Sequence, residues 1–188
     1  MPSAIVREKY RDLSGDELLD RAYQLGAKFE EHSCSCSQSV VAAVHELLTI
    51  DDIVVKIATS LCGGTAIQGL GTCGALAGGI IILDYFFGRP VEKVSYTEFI
   101  KENVEPLFNY HHVPPMQLVD KFVAKHGTFT CVQIQRKLYG RTYCFTDEDD
   151  LVKFEDIGSH SDPTKCMDVV GSASQWVIEI LLDRGVIT

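Results

Sequence analysis

The sequence predicts an all-α fold, a single-domain helical bundle with a glycine-rich central helix. Apolar residues recur every three or four positions along most of the chain, helix start and stop signals bracket these segments, and alternating strand patterns are scarce. At 188 residues and 46% hydrophobic content, the chain can bury one substantial core. We therefore expect one domain spanning residues 1–188.

The first four helices follow from capping signals and apolar spacing. Ser14 and Glu17 form a capping box ahead of a regularly spaced apolar face. Asp51 or Asp52 can cap a short helix, and Gly88 with the following Arg-Pro pair ends a long apolar segment. The predicted helices are Gly15–His32, Ser37–Leu48, Asp51 or Asp52 to Ser60, and Thr72–Phe87.

Five further helices are predicted in the second half, and three of them end ahead of a glycine. Gly140, Gly158 and Gly185 stand just after these segments, where glycine commonly terminates a helix. The predicted helices are Tyr96–Asn109, Pro115–His126, Cys131–Tyr139, Asp147–Ile157 and Pro163–Asp183.

Charge and hydropathy exclude several classes of protein. The net charge is −9 and the 17 lysines and arginines are scattered, so nucleic-acid binding is not expected. Residues Met1 to Asp20 lack the apolar core of a secretory signal. The longest apolar run, Ala75 to Leu83, is too short to span a membrane. We expect a soluble, cytoplasmic protein without membrane insertion.

Seven cysteines in a chain of this kind indicate metal binding or redox chemistry. A reducing compartment disfavours a disulfide framework, and an odd number of cysteines cannot all pair within one chain. A single cysteine taken alone is more often a small buried hydrophobe. The seven are Cys34, Cys36, Cys62, Cys73, Cys131, Cys144 and Cys166.

Four of these cysteines lie at predicted helix starts: Cys36, Cys73, Cys131 and Cys166. The free N–H groups and partial positive charge of a helix N-terminus stabilise a thiolate, so we expect lowered cysteine pKa values there. The thiolate is also the form that binds metal. We expect the tertiary fold to bring the four together.

A glycine-rich stretch follows Cys62. Gly69, Gly71 and Gly74 spell G-x-G-x-x-G, but no β-rich strand precedes them, and the acidic residue of a dinucleotide-binding unit is missing. Gly71, Gly74 and Gly78 instead indicate close approach of the backbone to a neighbouring helix or to a bound inorganic group. Tight helix packing alone and cofactor binding at Gly74 remain open alternatives.

The order of these motifs resembles the redox-active family named for the pattern C_GCAxxG_C_C. The resemblance rests on Cys36, on the Cys-Gly-Ala-x-x-Gly box at Cys73, and on Cys131 and Cys166, and it spans roughly Leu18 to Leu182. The family is similar to the non-haem part of split-Soret cytochromes. The resemblance implies a helical fold, a possible homodimer, a redox partner protein and an iron–sulfur cluster of the [2Fe–2S] type. Its ligands or redox thiols would be these four cysteines.

Departures from that pattern concern the other cysteines. No Cys-x-x-Cys-His motif is present, so haem is not expected. Cys34 or Cys62 could replace a ligand, and Cys62 with Cys73 could form a redox thiol pair. Cys144, between two aromatic residues, is predicted to be a packing residue.

Histidines and acidic residues give weaker signals. The pair His111-His112 in a proline-bounded loop is predicted to face solvent. His32 is predicted to lie at a helix C-terminus, where the helix dipole favours it. The acidic run from Asp147 to Asp150 is predicted to be a charged first helical turn and not a calcium loop.

Three functional classes remain. The favoured class is an electron-transfer protein or oxidoreductase subunit that binds an iron–sulfur cluster. The second is a thiol/disulfide oxidoreductase that uses cysteine chemistry directly. The third is a structural zinc-binding interaction module, because four thiolates suit Zn²⁺ equally well.

Overall fold

The all-α prediction is confirmed. A computed structural model describes residues 3–94 and 104–187, and this part of the chain contains α-helices, short 3₁₀ turns and isolated β-bridges but no strand. The helices are α1 Gly15–Ser33, α2 Cys36–Leu47, α3 Asp52–Ile57, α4 Gly74–Phe87, α5 Val104–His111, α6 Val113–His126, α7 Cys131–Tyr139, α8 Glu148–Asp156 and α9 Cys166–Asp183. The 3₁₀ turns are Glu8–Tyr10, Thr59–Leu61 and Val91–Lys93.

Most helix boundaries agree with the prediction to within two residues. The capping box of α1 is present, with Ser14 and Glu17 bonded to each other in both directions. Asp147 caps α8 by accepting the N–H of Asp150 at 2.9 Å, so the acidic run is a first helical turn. Residues 96–103 of the predicted helix Tyr96–Asn109 lie outside the described part of the chain.

Two helices begin later than predicted. The helix predicted from Pro163 starts at Cys166, because the Asp162 carboxylate accepts the N–H of Thr164 at 2.8 Å and holds a turn there. The helix predicted from Thr72 starts at Gly74, because Thr72 forms an antiparallel bridge with Thr130.

Helix α9 lies at the centre of the packing and contacts α1, α2, α4 and α6. Helix α4 packs against α2 and α6. Most of the buried apolar side chains form one cluster, in which Val44, Leu83, Leu118 and Val177 have no exposed surface. The start of α2 and the start of α4 are thereby held side by side.

Gly78 sets the distance between α2 and α4. A Cβ at this position would overlap the Ser37 carbonyl oxygen and lie 3.0 Å from Ser37 Cα. Because backbone atoms cannot yield as a flexible side chain can, only glycine allows this approach. The predicted steric requirement at Gly78 is therefore one of helix packing.

The two adjacent histidines differ in exposure. His111 is buried, with a ring nitrogen hydrogen-bonded to the Phe87 carbonyl at the end of α4, so its predicted solvent exposure is wrong. His112 is exposed as predicted. His32 lies exposed in the last turn of α1, where its prediction placed it.

Within the described ranges, no helix combines the length and the apolar content that a membrane span requires.

Candidate functional site

The four cysteines predicted at helix starts are all at helix starts. Cys36, Cys131 and Cys166 are the first residues of α2, α7 and α9, and Cys73 is the N-cap residue of α4. Each sulfur therefore lies beside backbone N–H groups that have no partner within the helix.

Six of the seven cysteines line a single cavity of about 200 Å³. They are Cys34, Cys36, Cys62, Cys73, Cys131 and Cys166. The remaining wall is largely apolar and includes Ile67, Ile134, Phe154, Val169 and Val170. The fold thus brings together residues from both halves of the chain, including every cysteine that the sequence singles out as a ligand or substitute.

A short backbone pairing joins the entrances to α4 and α7. The N–H of Cys73 donates to the Phe129 carbonyl at 2.8 Å, and the N–H of Cys131 donates to the Gly71 carbonyl at 2.9 Å. These bonds flank the antiparallel bridge between Thr72 and Thr130. They fix Cys73 and Cys131 next to each other at the cavity.

Gly74 leaves room for a sulfur atom. A Cβ at this position would overlap Cys36 Sγ and would also lie 2.9 Å from Cys62 Cα. Gly64 likewise leaves room for the Cys131 side chain, because a Cβ added at residue 64 would lie 2.9 Å from Cys131 Cβ. The glycine-rich stretch therefore makes space for cysteine side chains, whereas the sequence indicated a neighbouring helix or a bound inorganic group as the partner of Gly74.

The loop between Cys62 and Gly71 adopts an unusual backbone. Five consecutive residues from Gly63 to Ile67 have positive φ, among them Thr65 at 70° and Ala66 at 49°. Left-handed conformation costs about 1–2 kcal/mol for each non-glycine residue. Such strain persists where surrounding contacts determine the backbone, as at a binding site. Nothing in the sequence pattern predicted this left-handed turn.

Backbone N–H groups donate to two of the sulfurs. Gly63 donates to Cys36 Sγ, and Ala75 and Leu76 in the first turn of α4 donate to Cys73 Sγ. These bonds lower the pKa of each thiol, and those to Cys73 come from the start of its own helix, whereas the bond to Cys36 comes from the glycine-rich loop.

Side chains donate to the other two sulfurs. Gln135 Nε2 lies 3.4 Å from Cys131 Sγ, and the Tyr139 hydroxyl lies 3.0 Å from Cys166 Sγ. Gln135 is itself oriented by the Tyr143 N–H, which donates to its Oε1 at 2.7 Å. Gln135 and Tyr139 were not predicted from the sequence, although they lie on α7 four and eight residues after the predicted ligand Cys131.

The expected lowering of cysteine pKa values is wrong for the protein without a bound group. Burial raises the pKa of Cys73 to about 12, and it raises the pKa values of Cys36, Cys131 and Cys166 as well. The loss of hydration outweighs the N–H groups of the helix starts. As free residues these thiols are protonated at neutral pH.

Cys144 lies apart from this cavity, and its predicted packing role is wrong. It is exposed, with its Sγ 3.3 Å from the hydroxyl of Thr146. The buried residue here is its neighbour Tyr143, whose ring packs against those of Tyr139 and Phe154.

The family of the chain follows from a family model. The model described as "Putative redox-active protein (C_GCAxxG_C_C)" matches residues 34–180, more than three quarters of the sequence. The chain belongs to this family. No curated protein and no solved structure matches the chain.

In this C_GCAxxG_C_C protein, all six cavity cysteines lie inside the matched range. Cys34 caps the C-terminus of α1 with a left-handed backbone and is exposed, whereas Cys62 is half-buried after the turn Thr59–Leu61. Both substitutes proposed from the sequence therefore reach the cavity.

One buried carboxyl lies just outside the range that matches the family. Glu30 on α1 is 1% exposed and lines the cavity, where its Oε2 accepts a hydrogen bond from Ser39 at 3.0 Å. Burial raises the pKa of this carboxyl to about 8. A signal for it was present, because Ala22, Gly26 and Glu30 follow one another at four-residue spacing on the buried face of α1.

Proposed function

We propose that the protein binds an iron–sulfur cluster through Cys36, Cys73, Cys131 and Cys166 and acts in electron transfer or as a redox subunit. The observation that carries the proposal is the convergence of these four helix-start cysteines on one cavity, with a hydrogen-bond donor beside each sulfur. Cysteine thiolates hold iron–sulfur clusters, and hydrogen bonds to the sulfurs tune their reduction potentials.

The donor set fits such a group better than a single zinc ion. Sulfurs around one tetrahedral Zn²⁺ lie about 3.8 Å apart, given a Zn–S bond of about 2.3 Å. Among the described residues, the group of three or more ligand atoms that all lie within 4.8 Å of one another is Cys34, Glu155 and His160, not a set of cysteines. Wider spacing suits sulfurs that bind different irons.

The residues around the site have defined roles in this proposal. A bound cluster supplies one-electron exchange. The N–H groups of Gly63, Ala75 and Leu76 and the side chains of Gln135 and Tyr139 stabilise negative charge on the sulfurs. The apolar wall limits the access of water. A [2Fe–2S] type, a redox partner protein and a homodimer are implied by the family resemblance and belong to the same proposal.

The thiol/disulfide alternative has less support. Cys73 would have to act as a thiolate with Cys62, but it is 6% exposed and burial raises its pKa to about 12. The reactive form of such a thiol is scarce at neutral pH. Such a thiol suits metal ligation, because the positive charge of a bound metal ion stabilises the thiolate in place of the water that burial excludes.

The test is anaerobic purification with iron, acid-labile sulfide and visible absorption measured on one sample. We expect colour with near-equal iron and sulfide. Cys73→Ser should lose the absorption and most of the iron, whereas Cys144→Ser, an exposed cysteine outside the cavity, should keep both.

Two outcomes contradict the proposal. One is an unchanged spectrum in Cys73→Ser, whose folded state is checked by circular dichroism. The other is wild-type protein that stays colourless and free of iron after anaerobic reconstitution; titratable thiols would then favour thiol chemistry, and stoichiometric zinc the interaction module.

A further inference from the structure

A second group of metal-binding side chains lies where the cysteine cavity reaches solvent. Cys34 Sγ, a carboxylate oxygen of Glu155 and a ring nitrogen of His160 all lie within 4.8 Å of one another. They come from the C-cap of α1, the last turn of α8 and the turn that follows α8. All three line the cavity, and none is among the four helix-start cysteines.

The two nitrogens of His160 face different carboxylates. Nδ1 lies 2.8 and 3.0 Å from the two oxygens of Glu155, and Nε2 lies 3.6 Å from Oε1 of the buried Glu30. The edge of the ring is held against Phe154, with a centroid distance of 5.4 Å. The contact with Glu155 is a hydrogen bond, whereas 3.6 Å is too long for one, so Glu30 lies near Nε2 without bonding to it.

The donor atoms around His160 suit a cation. Glu155, the Cys34 thiol and, at a longer distance, the buried Glu30 carboxyl surround a single imidazole. The residues that line the cavity in the described chain include no lysine or arginine. One protonated imidazole balances one carboxylate, whereas a divalent ion balances a carboxylate and a thiolate together.

We propose that Cys34 Sγ, Glu155 and His160 Nδ1 form a mononuclear site for a divalent transition metal of the Zn²⁺ type, with the buried Glu30 near Nε2 on the other side of the imidazole. Mixed sulfur, nitrogen and oxygen donors suit this borderline-soft ion. Three protein ligands leave a fourth position that is open to water or substrate. The site is separate from the proposed cluster and does not depend on it.

The proposal assigns Cys34 a role that the four-cysteine pattern does not. In the sequence Cys34 stands only as a substitute ligand for the cluster. Here its partners are Glu155 and His160, which the sequence analysis did not single out. The competing explanation is a histidine–carboxylate ion pair that binds no metal, and the experiment separates the two.

The experiment is an anaerobic titration of the full-length protein, as isolated, with Co²⁺ as a spectroscopic probe for the Zn²⁺ site. Wild type and Cys144→Ser should bind one more equivalent of Co²⁺ than Cys34→Ser. The difference spectrum should contain thiolate-to-cobalt charge-transfer absorption. Both cysteines are exposed, which makes Cys144→Ser a matched control for the loss of one surface thiol.

His160→Ala and Glu155→Gln should lose the same equivalent of Co²⁺. Glu30→Gln changes none of the proposed ligands and should keep the stoichiometry of Co²⁺ binding. If His160→Ala and Glu155→Gln still bind this equivalent of Co²⁺, the cobalt is bound by a single thiol and the proposal is wrong. If wild type and Cys34→Ser bind the same number of equivalents of Co²⁺, the proposal is also wrong, and the group is a histidine–carboxylate ion pair that binds no metal.

Iron and sulfide content, measured on the same samples, reports the cluster independently. If iron and sulfide are lost in Cys73→Ser and retained in Cys34→Ser, the result supports the proposed cluster and does not bear on the mononuclear site. The difference between Cys34→Ser and Cys144→Ser decides the mononuclear site whether or not iron is present.

Discussion

Apolar surroundings stabilise a buried thiol, whereas a buried thiolate needs hydrogen-bond donors or a cation beside it. Cys73 is buried, and Cys36 and Cys166 are partly buried, at a cavity whose described lining has no lysine or arginine; the loss of hydration raises the pKa of each thiol, so each keeps its proton as a free residue. The hydrogen bonds to their sulfurs nevertheless favour the charged form. This combination is expected of ligands that lose their protons when a metal binds.

Away from the cavity, His126 is predicted to make the stability of the protein depend on pH. Its side chain is 6% exposed, its ring lies 4.7 Å from that of Phe122, and its Nε2 has no hydrogen-bond partner among the described residues. Burial lowers its pKa to about 4, from about 6.5 in the unfolded chain. Between these values the unfolded state binds more protons than the folded state.

The free energy of unfolding contributed by His126 is therefore complete above about pH 6.5 and is lost as the pH falls toward 4. The slope is at most about 1.4 kcal/mol per pH unit. Urea unfolding at several pH values should give a less positive slope in His126→Phe than in wild type, whereas the raised pKa of Glu30 adds a slope of opposite sign to both proteins alike. The exposed His32→Gln is the control and should retain the wild-type slope. An identical slope in His126→Phe would assign the acid sensitivity to other groups.

At the level of elements, the contact between the starts of α2 and α4 decides the geometry of the cysteine site. Gly74 and Gly78 are one helical turn apart on α4, and each faces the first residues of α2. A side chain at either position would separate the two helix starts and move Cys36 away from Cys73. The glycine-rich helix is thus required for packing and for the site together.

Gly74→Ala should lower the free energy of unfolding by about 1–3 kcal/mol, because its Cβ meets Cys36 Sγ and the backbone of Cys62 and cannot be accommodated by one side-chain movement. Gly15→Ala is the matched control. Gly15 is also the first residue of a helix, but a Cβ there would lie 3.8 Å from Leu182, an ordinary contact. It should be neutral or stabilising by up to about 1 kcal/mol. Urea denaturation measures both, and equal stability of the two variants would refute the steric role of Gly74.

The helices could be predicted from the sequence because their signals are local. Capping at Ser14, the acidic first turn after Asp147 and the glycine after Tyr139 each act within a few residues. The helices predicted from Thr72 and Pro163 begin later than expected. Thr72 forms a bridge to a distant segment, and the Asp162 side chain holds a turn after Pro163. The left-handed loop after Cys62 is held by hydrogen bonds within residues 60–71, such as that from the Gly69 N–H to the Gly63 carbonyl at 2.7 Å, and three of its positive-φ residues are not glycine, so no residue pattern indicated it.

At the scale of the whole molecule, the candidate site depends on contacts between distant parts of the chain. The helix-start positions of the four cysteines could be predicted, and their convergence could be expected, but the groups beside the sulfurs could not be. Tyr139 and Gln135 reach the sulfurs only after α7 is in place, and Glu30 comes from α1. Burial also reversed the expected direction of the pKa values, because solvent exclusion is a property of the assembled fold.

Metal removal should destabilise the whole protein, because the proposed ligands begin four different helices. A group bound only to the folded state at 100 times its dissociation constant adds about 2.7 kcal/mol to the free energy of unfolding. For a chain of this length, this corresponds to a rise in Tm of about 5–10 °C. Thermal unfolding followed by circular dichroism, before and after anaerobic chelation of iron, measures the difference.

The same comparison in two variants identifies the source of that stability. Cys144→Ser should show the full wild-type decrease in Tm on chelation. Cys73→Ser should start near the Tm of chelated wild type and change little, because it lacks a ligand that joins α4 to the rest of the site. Chelation that removes iron from wild type without lowering its Tm would mean that the bound iron does not link the helices, and the four-helix ligand set would then be wrong.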